Sequence, residues 1–395
     1  MTETPALSPA NTDEVVEAVR WALSKHTPLE IVGGGTKRSV GHPGATNMVL
    51  DVSHITGIVA YEPKELVITA LPGTPLADIE AALADAGQRL DFEPVNLNSL
   101  LGVQKSAATL GGMVAGNIAG PRRIKTGAVR DHVLGMKIVT GWGEAVKTGG
   151  RVVKNVTGYD LCKVLTGSWG TLSVMTELSL KTLPAPETET TILIEGLDDA
   201  SGTAALSASM GSPYDVSGAA HLPGAQGTSL SCIRLEGIEV SVAARRDALI
   251  ALLGSLGSIR YVDPNESMAL WQSIRDVHAF VETPGAVWRI STAPDQGASV
   301  VADISEVLAC AYYFDWSGGL IWLSCAADGD AGASVIRATV EGRGHATLIR
   351  APENVRREVS VFHPQPAPLA DLAKRVKASF DPDGVFNPKR MTLDW

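Results

Sequence analysis

Apolar positions along the first hundred residues switch between helical and extended spacing. Val15, Val16, Val19, Ala22 and Leu23 recur on one helical face. They predict a helix over Thr12–Lys25, with Asn11 as N-cap and Glu14 three residues on. The short apolar run Leu29–Val32 predicts a strand that runs straight into Gly33-Gly34-Gly35. Further strands are predicted at 48–52, 58–61 and 66–71. Leu76, Ile79, Leu83 and Ala86 then line a helix with Thr74 as cap, Pro75 in first position and Gly87 at its end.

Residues 109–184 are dense in glycine, which marks sharp turns or close backbone approach. Alternation predicts a hairpin of 133–139 with 144–148 around Gly141-Trp142-Gly143, then a strand at 172–182. Pro184-Ala185-Pro186 reads as a boundary. Beyond it the texture changes. Strands are predicted at 191–197, 229–235, 258–262, 287–291, 311–314, 320–324 and 347–350. They alternate with helices at 200–209, 240–253, 265–278, 298–307 and 333–340. This pattern predicts an α+β domain, an antiparallel sheet covered by helices. A final helix at 369–379 leads into Asp381-Pro382-Asp383-Gly384 and Asn387-Pro388.

The 395 residues suffice for two cores, and the net charge of -10 argues against nucleic acid as main partner. The start lacks the basic and apolar runs of a signal peptide, and no stretch reaches the roughly 18 consecutive apolar residues of a membrane span. Cys162, Cys232, Cys310 and Cys325 form no C-x-x-C pair, so neither an iron–sulfur cluster nor a structural zinc is signalled. Unpaired, scattered cysteines fit a reducing cytoplasm.

Four segments carry candidate chemistry. Gly33-Gly34-Gly35-Thr36-Lys37 exposes successive backbone N–H groups after a strand, with a hydroxyl and a cation beside them. It suits an anion nest for a pyrophosphate, or a flexible turn. It is neither G-x-G-x-x-G nor a Walker A loop. The uncharged, small-residue segment 106–121, with Thr109-Leu110-Gly111-Gly112 and Ala115-Gly116-Asn117, suits a second backbone approach to one ligand, or a tight helix contact. Arg122, Arg123, Lys125 and Arg130 place four cations within nine residues; they could neutralise phosphates, face a partner protein or form a solvated face. In the fourth segment, 155–163 leads to Gly167-Ser168-Trp169-Gly170-Thr171-Leu172, a glycine-led strand entry suited to a flat ring.

In this order the segments resemble the FAD-binding domain of the vanillyl-alcohol-oxidase family, also called the PCMH-type FAD domain. The resemblance includes Gly127-Ala128-Val129-Arg130-Asp131-His132-Val133-Leu134-Gly135, Gly170-Thr171-Leu172-Ser173-Val174-Met175-Thr176-Glu177 and the closing Phe380-Asp381-Pro382-Asp383-Gly384-Val385-Phe386-Asn387-Pro388. Residues 154–158, 344–352 and 361–364 extend it to the FAD-binding subunits of bacterial glycolate oxidases. It implies a PCMH-type two-subdomain FAD-binding domain over 1–185, an α+β cap domain over 186–350, and a C-terminal segment, 351–395, that returns to the FAD domain.

By matching motif, the resemblance implies that Gly33, Gly34, Gly35, Thr36 and Lys37 hold the FAD pyrophosphate. Thr109, Leu110, Gly111, Gly112, Ala115, Gly116 and Asn117 would line the rest. Gly170 and the backbone of Val174 would meet the cofactor, and Asn387 would lie near the isoalloxazine. Arg122 is assigned to the cofactor from the basic run, with Arg123 and Arg130 not all expected to serve it. No histidine stands in Gly34-Gly35-Thr36 for a covalent link, so FAD is expected to be noncovalent, and His42 is read as a surface or turn residue. Lys389 replaces a glycine frequent in the closing motif, so the backbone there is expected to differ slightly.

Catalytic members carry a Gly-Glu-His-Gly-type motif, and the matching region here reads Val340-Glu341-Gly342-Arg343-Gly344-His345-Ala346-Thr347. His345 is therefore read as structural; no metal site and no catalytic base is assigned. Three functions stay open: an FAD-bearing subunit of a glycolate oxidase complex, a self-sufficient FAD-dependent 2-hydroxy-acid oxidase or dehydrogenase, and a structural subunit with a vestigial flavin site. The intact glycine loops disfavour the third and the missing histidine motif the second. The resemblance further implies two partners, the homologous catalytic flavoprotein of a glycolate oxidase and its iron–sulfur protein. It also implies a substrate such as glycolate or D-lactate, and a cytoplasmic location with the inner membrane reached through the complex.

Overall fold

A computed structural model describes residues 5–44, 46–104, 107–150, 159–224 and 227–394. Ser106 and residues 154–158 of the sequence segments above lie outside them. The chain forms two compact units. One comprises Met1–Ala119, Gly127–Ala185 and Pro364–Trp395; the other comprises Gly120–Thr126 and Pro186–His363.

In the first unit, Val15, Val19 and Ala22 bury one face of the helix Thr12–Lys25. Asn11 Oδ1 accepts the Glu14 N–H at 3.0 Å, and the Glu14 carboxylate accepts the Ala10 N–H at 2.8 Å, which closes the first turn. This helix shares a core with a parallel sheet in the order Ala6–Leu7, Met48–Asp51, Leu29–Val32. The C-terminal segment joins that sheet at its edge. Leu29 N–H donates to Val385 O at 2.8 Å and Asn387 N–H to Leu29 O at 3.0 Å.

A second, antiparallel sheet runs in the order Ile58–Glu62, Val67–Ala70, Ser173–Lys181, Val133–Thr140, Ala145–Gly149. Its core includes Ile68, Met136, Leu178 and the helix residues Ile79 and Leu83. That helix, Leu76–Asp85, has no side-chain cap. Thr74 Oγ1 instead accepts the Gly57 N–H at 2.9 Å and lies 2.7 Å from Leu71 O, so it closes the preceding turn.

The second unit is an eight-stranded antiparallel sheet in the order Ser258–Val262, Thr188–Glu195, Leu230–Gly237, Gly218–Leu222, Cys310–Asp315, Leu320–Cys325, Ala286–Thr292, Gly344–Arg350. Helices Asp199–Met210, Glu239–Leu253, Gly297–Ser305 and Ala333–Val340 bury one face, over Ile192, Ile233, Ile290 and Leu323 among others. Periodicity does not predict the strand Gly218–Leu222, because its small residues follow from packing. A Cβ on Gly218 would stand 3.0 Å from the Trp271 ring.

Two boundaries differ from those expected from sequence. Residues 351–363 stay with the second unit, where Leu348 N–H donates to Val361 O at 2.9 Å and Arg337 Nη2 to Phe362 O at 3.3 Å. Gly120–Thr126 also belongs there. Trp316 Nε1 donates to Gly120 O at 3.1 Å and the Arg123 guanidinium lies 4.4 Å from the Trp316 ring centre. No helix among the described residues is long and apolar enough to cross a membrane.

Candidate cofactor site

The glycine loop that follows Leu29–Val32 forms one wall of a cleft in the first unit. Its three glycines serve different needs. A Cβ on Gly34 would stand 1.7 Å from Ala107 O, and one on Gly33 would stand 2.6 Å from Thr109 Oγ1. Gly35 has room, but its φ of 69° is left-handed. Among the described residues, the N–H groups of Gly34, Gly35, Thr36 and Lys37 donate no hydrogen bond within the protein. Four successive donors without a partner among the described residues suit an anion.

Lys37 adds a charge to it. Its side chain makes no hydrogen bond or ion pair among the described residues, and burial pushes its ammonium down to about 8. A Cβ on Gly116 would stand 3.7 Å from Lys37 Cδ, an ordinary van der Waals contact, so the lysine stem packs beside this glycine without requiring it.

The small-residue segment is a helix, Leu110–Gly116, whose N-cap Thr109 accepts the Gly112 N–H at 3.4 Å. Thr109, Gly111, Gly112 and Ala115 line the cleft, and Leu110 is buried in the adjacent core. A Cβ on Gly111 would stand 2.8 Å from Pro72 Cβ, so tight packing and ligand approach use the same glycines. Asn117 does not line the cleft. It ends the helix at φ 49° and its Oδ1 accepts the Arg130 N–H at 3.1 Å.

Trp169 and Gly170, both at positive φ, form the next wall, followed by Ser173 and Met175. Strand alternation turns the Val174 side chain into the core with Leu50 and Val139. Ser173 Oγ is buried without a hydrogen-bond partner. Asn387 joins two walls: its Oδ1 accepts the Ile31 N–H at 2.9 Å and its Nδ2 donates to Trp169 O at 2.9 Å. Arg390, which sequence reasoning missed, lines the cleft and donates to Lys37 O at 2.7 Å. Trp169, Ser173 and Met175 were missed as well, although their alternation about Val174 could have placed the last two. His42 lies in a turn as expected, but buried, with its N–H on Arg390 O at 3.0 Å.

The closing motif is held from below. Lys377 Nζ donates to Asp381 Oδ2 and to Thr171 O, each at 2.6 Å, while Asp381 accepts the N–H groups of Val385 and Phe386, each at 2.9 Å. Lys389 keeps a left-handed φ of 63°, the conformation a glycine there would favour.

Arg122, like Leu110, Gly116, Asn117 and Val174, is not among the residues that line the cleft. It lies in the second unit, where its guanidinium makes a bidentate pair with Glu236 at 2.8–2.9 Å. Both side chains are largely buried, so the pair is a structural cross-link of that unit. Among the described residues no group of three or more His, Cys, Asp or Glu side chains is placed to hold a metal ion.

The unsatisfied donors, the buried cation, the orphaned Ser173 hydroxyl and the apolar walls of Ile31, Val32, Val52, Pro72 and Met175 suit a pyrophosphate joined to a flat ring. The family model described as an FAD binding domain matches residues 5–149. The chain is 40% identical over 381 residues to glycolate oxidase subunit GlcE of Escherichia coli (strain K12), which covers 95% of this chain and 96% of that protein. With glycolate oxidase subunit GlcD of Bacillus subtilis (strain 168) it shares 33% identity over 200 residues, half of this chain and 41% of that one. The fold is shared with 4-ethylphenol oxidase from Gulosibacter chungangensis (TM-score 0.72, 14% identity, 98% of this chain and 89% of that one). It is also shared with p-cresol methylhydroxylase (TM-score 0.69, 13% identity, 99% and 89%). The chain is thus an FAD-binding protein of PCMH-type fold, and it belongs to the family of the glycolate oxidase subunit GlcE.

Proposed function

We propose that this chain is the FAD-binding subunit of a glycolate oxidase complex, which oxidises glycolate to glyoxylate with a catalytic flavoprotein partner and an iron–sulfur partner. The identity to GlcE along nearly the whole of both chains carries this reading. The oxidation removes the α-hydrogen with two electrons, and the hydroxyl proton. FAD, when bound, supplies the electron acceptor.

The chain's own residues bind and orient. Gly33, Gly34, Gly35, Thr36 and Lys37 would take the pyrophosphate on backbone N–H groups and one ammonium. Asn387 fixes the spacing between the glycine loop and the Trp169–Gly170 wall. The Lys377–Asp381 pair holds the closing segment in register with that wall. No residue here is assigned as the base for the hydroxyl proton, and the matching catalytic histidine motif is absent from the sequence. That step is therefore given to the flavoprotein partner, and passage of single electrons to the iron–sulfur partner.

The test is anaerobic mixing of the FAD-loaded chain with glycolate or D-lactate, followed at the visible flavin band. Little bleaching is expected for the chain alone, and turnover with a dye or quinone acceptor once both partners are added. Rapid, complete bleaching of the isolated chain by glycolate would favour the self-sufficient enzyme instead.

A further inference from the structure

Strand alternation divides the far half of the eight-stranded sheet into two unlike faces. Trp288, Ile290, Phe314, Ile321, Leu323 and Leu348 enter the helix-covered core. The intervening residues carry a different chemistry. The register sets Arg289 opposite Trp322 on one neighbour and Thr347 on the other, Ser291 opposite His345, and Asp315 opposite Leu320. Paired residues project to one side of the sheet, so Arg289, Ser291, Asp315 and His345 share the face away from that core.

Arg289 is the anomaly on this face. Its Nε and Nη2 are buried, and neither has a hydrogen-bond partner among the described residues. These two nitrogens form one edge of the guanidinium, with two parallel N–H donors that match the two oxygens of a carboxylate. A second cation stands close by. The Arg289 guanidinium lies 4.9 Å from the ring centre of Trp316, and that of Arg123 lies 4.4 Å from it. Asp315 opposes their charge, and its Oδ1 accepts the Trp316 N–H at 2.7 Å. Burial first, and then the charge of Arg123, push Arg289 down to about 10, and burial, Arg289, His363 and Arg123, in that order, lower His345.

The backbone beneath is strained. Trp316, Ser317 and Gly318 adopt successive φ values of 51°, 58° and 95°, a left-handed run in which two residues carry side chains. The Asp315 cap and the Trp316 Nε1 bond to Gly120 O hold the ring in that conformation. Ser317 Oγ is also buried without a partner. Leaving a guanidinium edge buried and unpaired is strongly unfavourable unless something completes it.

We propose that the second unit contains a binding site for a small carboxylate anion, gripped in bidentate fashion by Nε and Nη2 of Arg289, with Arg123 as the second positive charge. A carboxylate fits better than phosphate or sulfate because the free edge offers two coplanar donors. The site deepens the reading above by giving the carboxylate of a hydroxy acid a place to bind, and rests on that reading only for the choice of acid.

The test is titration calorimetry of the full, FAD-loaded chain with oxalate, which has no α-hydrogen and cannot be oxidised as glycolate is. Inorganic phosphate and sulfate are run alongside. Oxalate is expected to bind, and Arg289→Met to weaken it about thirtyfold or more. Arg289→Lys keeps the charge without the fork and is expected to recover only part of the affinity. Flavin content is expected to be the same in all three proteins, which separates failure here from failure of the flavin reading. A wild-type chain that carries FAD but binds no oxalate would overturn the proposal. So would undiminished binding in Arg289→Met, or equal binding of all three anions. Should Arg289→Met not fold, Arg289→Lys decides alone, and unchanged oxalate affinity would refute the site.

Discussion

Replacing Lys37 with Met has opposite consequences for the apoprotein and the FAD-bound protein. Burial moves the ammonium from its ordinary 10.5 to about 8, with no ion pair among the described residues to compensate. At about 1.4 kcal/mol per unit, holding the charged form at pH 7 destabilises the apoprotein by roughly 3 kcal/mol, and by about 1–3 once the partial exposure of the residue is discounted. Methionine keeps most of the stem and removes the charge, so Lys37→Met is expected to stabilise the apoprotein by that amount in urea denaturation at pH 7. The same change removes a charge-assisted bond to the pyrophosphate, worth about 1.5–3 kcal/mol, so FAD affinity is expected to fall about ten- to a hundredfold or more.

The sign of the pH dependence follows. The folded apoprotein's lysine has the lower pKa, so between about 8 and 10.5 the unfolded chain binds more protons and apoprotein stability rises with pH. FAD affinity runs the other way, flat below about 8 and falling above it as the ammonium is lost. An apoprotein destabilised by Lys37→Met, or an FAD affinity unchanged by it, would refute the argument that this lysine is held unpaired for an anion.

Other positions test the walls separately. Gly34→Ala drives a methyl into Ala107 O and is expected to abolish flavin binding, read as the absorbance ratio of flavin to protein. Gly35→Val is expected to lose flavin, whereas Gly35→Asn, which tolerates φ near 69°, is expected to retain most of it. Asp381→Ala removes the carboxylate partner of the buried Lys377 ammonium, and is expected to cost about 3–5 kcal/mol in denaturant unfolding. Arg122→Met is expected to lower the melting temperature while leaving flavin content unchanged. Breaking its pair with Glu236 costs up to about 3–5 kcal/mol, lessened by Arg234 at 3.7 Å from the same acid.

Local chemistry was legible in the sequence where neighbours in the chain are also neighbours in space. The Asn11-capped helix, the strand into the glycine loop, and most strands of the second unit follow from periodicity. The Leu110–Gly116 helix did not, because Gly111 and Gly112 suppress helical propensity, and Gly111 is required by the approach of Pro72. Arg122 and Lys37 are both cations beside glycines, and sequence alone could not separate them. The difference is Glu236, over a hundred residues away, which takes one and leaves the other to the cleft. Arg390 was invisible for the same reason: it reaches Lys37 O across 353 residues. Arg289 sits in an ordinary strand pattern, and only the register of three strands reveals that its fork is unpaired.

The central claim is that the Gly33–Lys37 loop and its facing helix hold FAD without a covalent bond. Its most direct test is the visible spectrum of the purified chain, followed by acid precipitation and identification of the released chromophore. A yellow protein that releases intact FAD to the supernatant, stoichiometric with the chain, is the predicted result. A colourless protein that takes up no added FAD, or flavin that stays in the pellet, would contradict it.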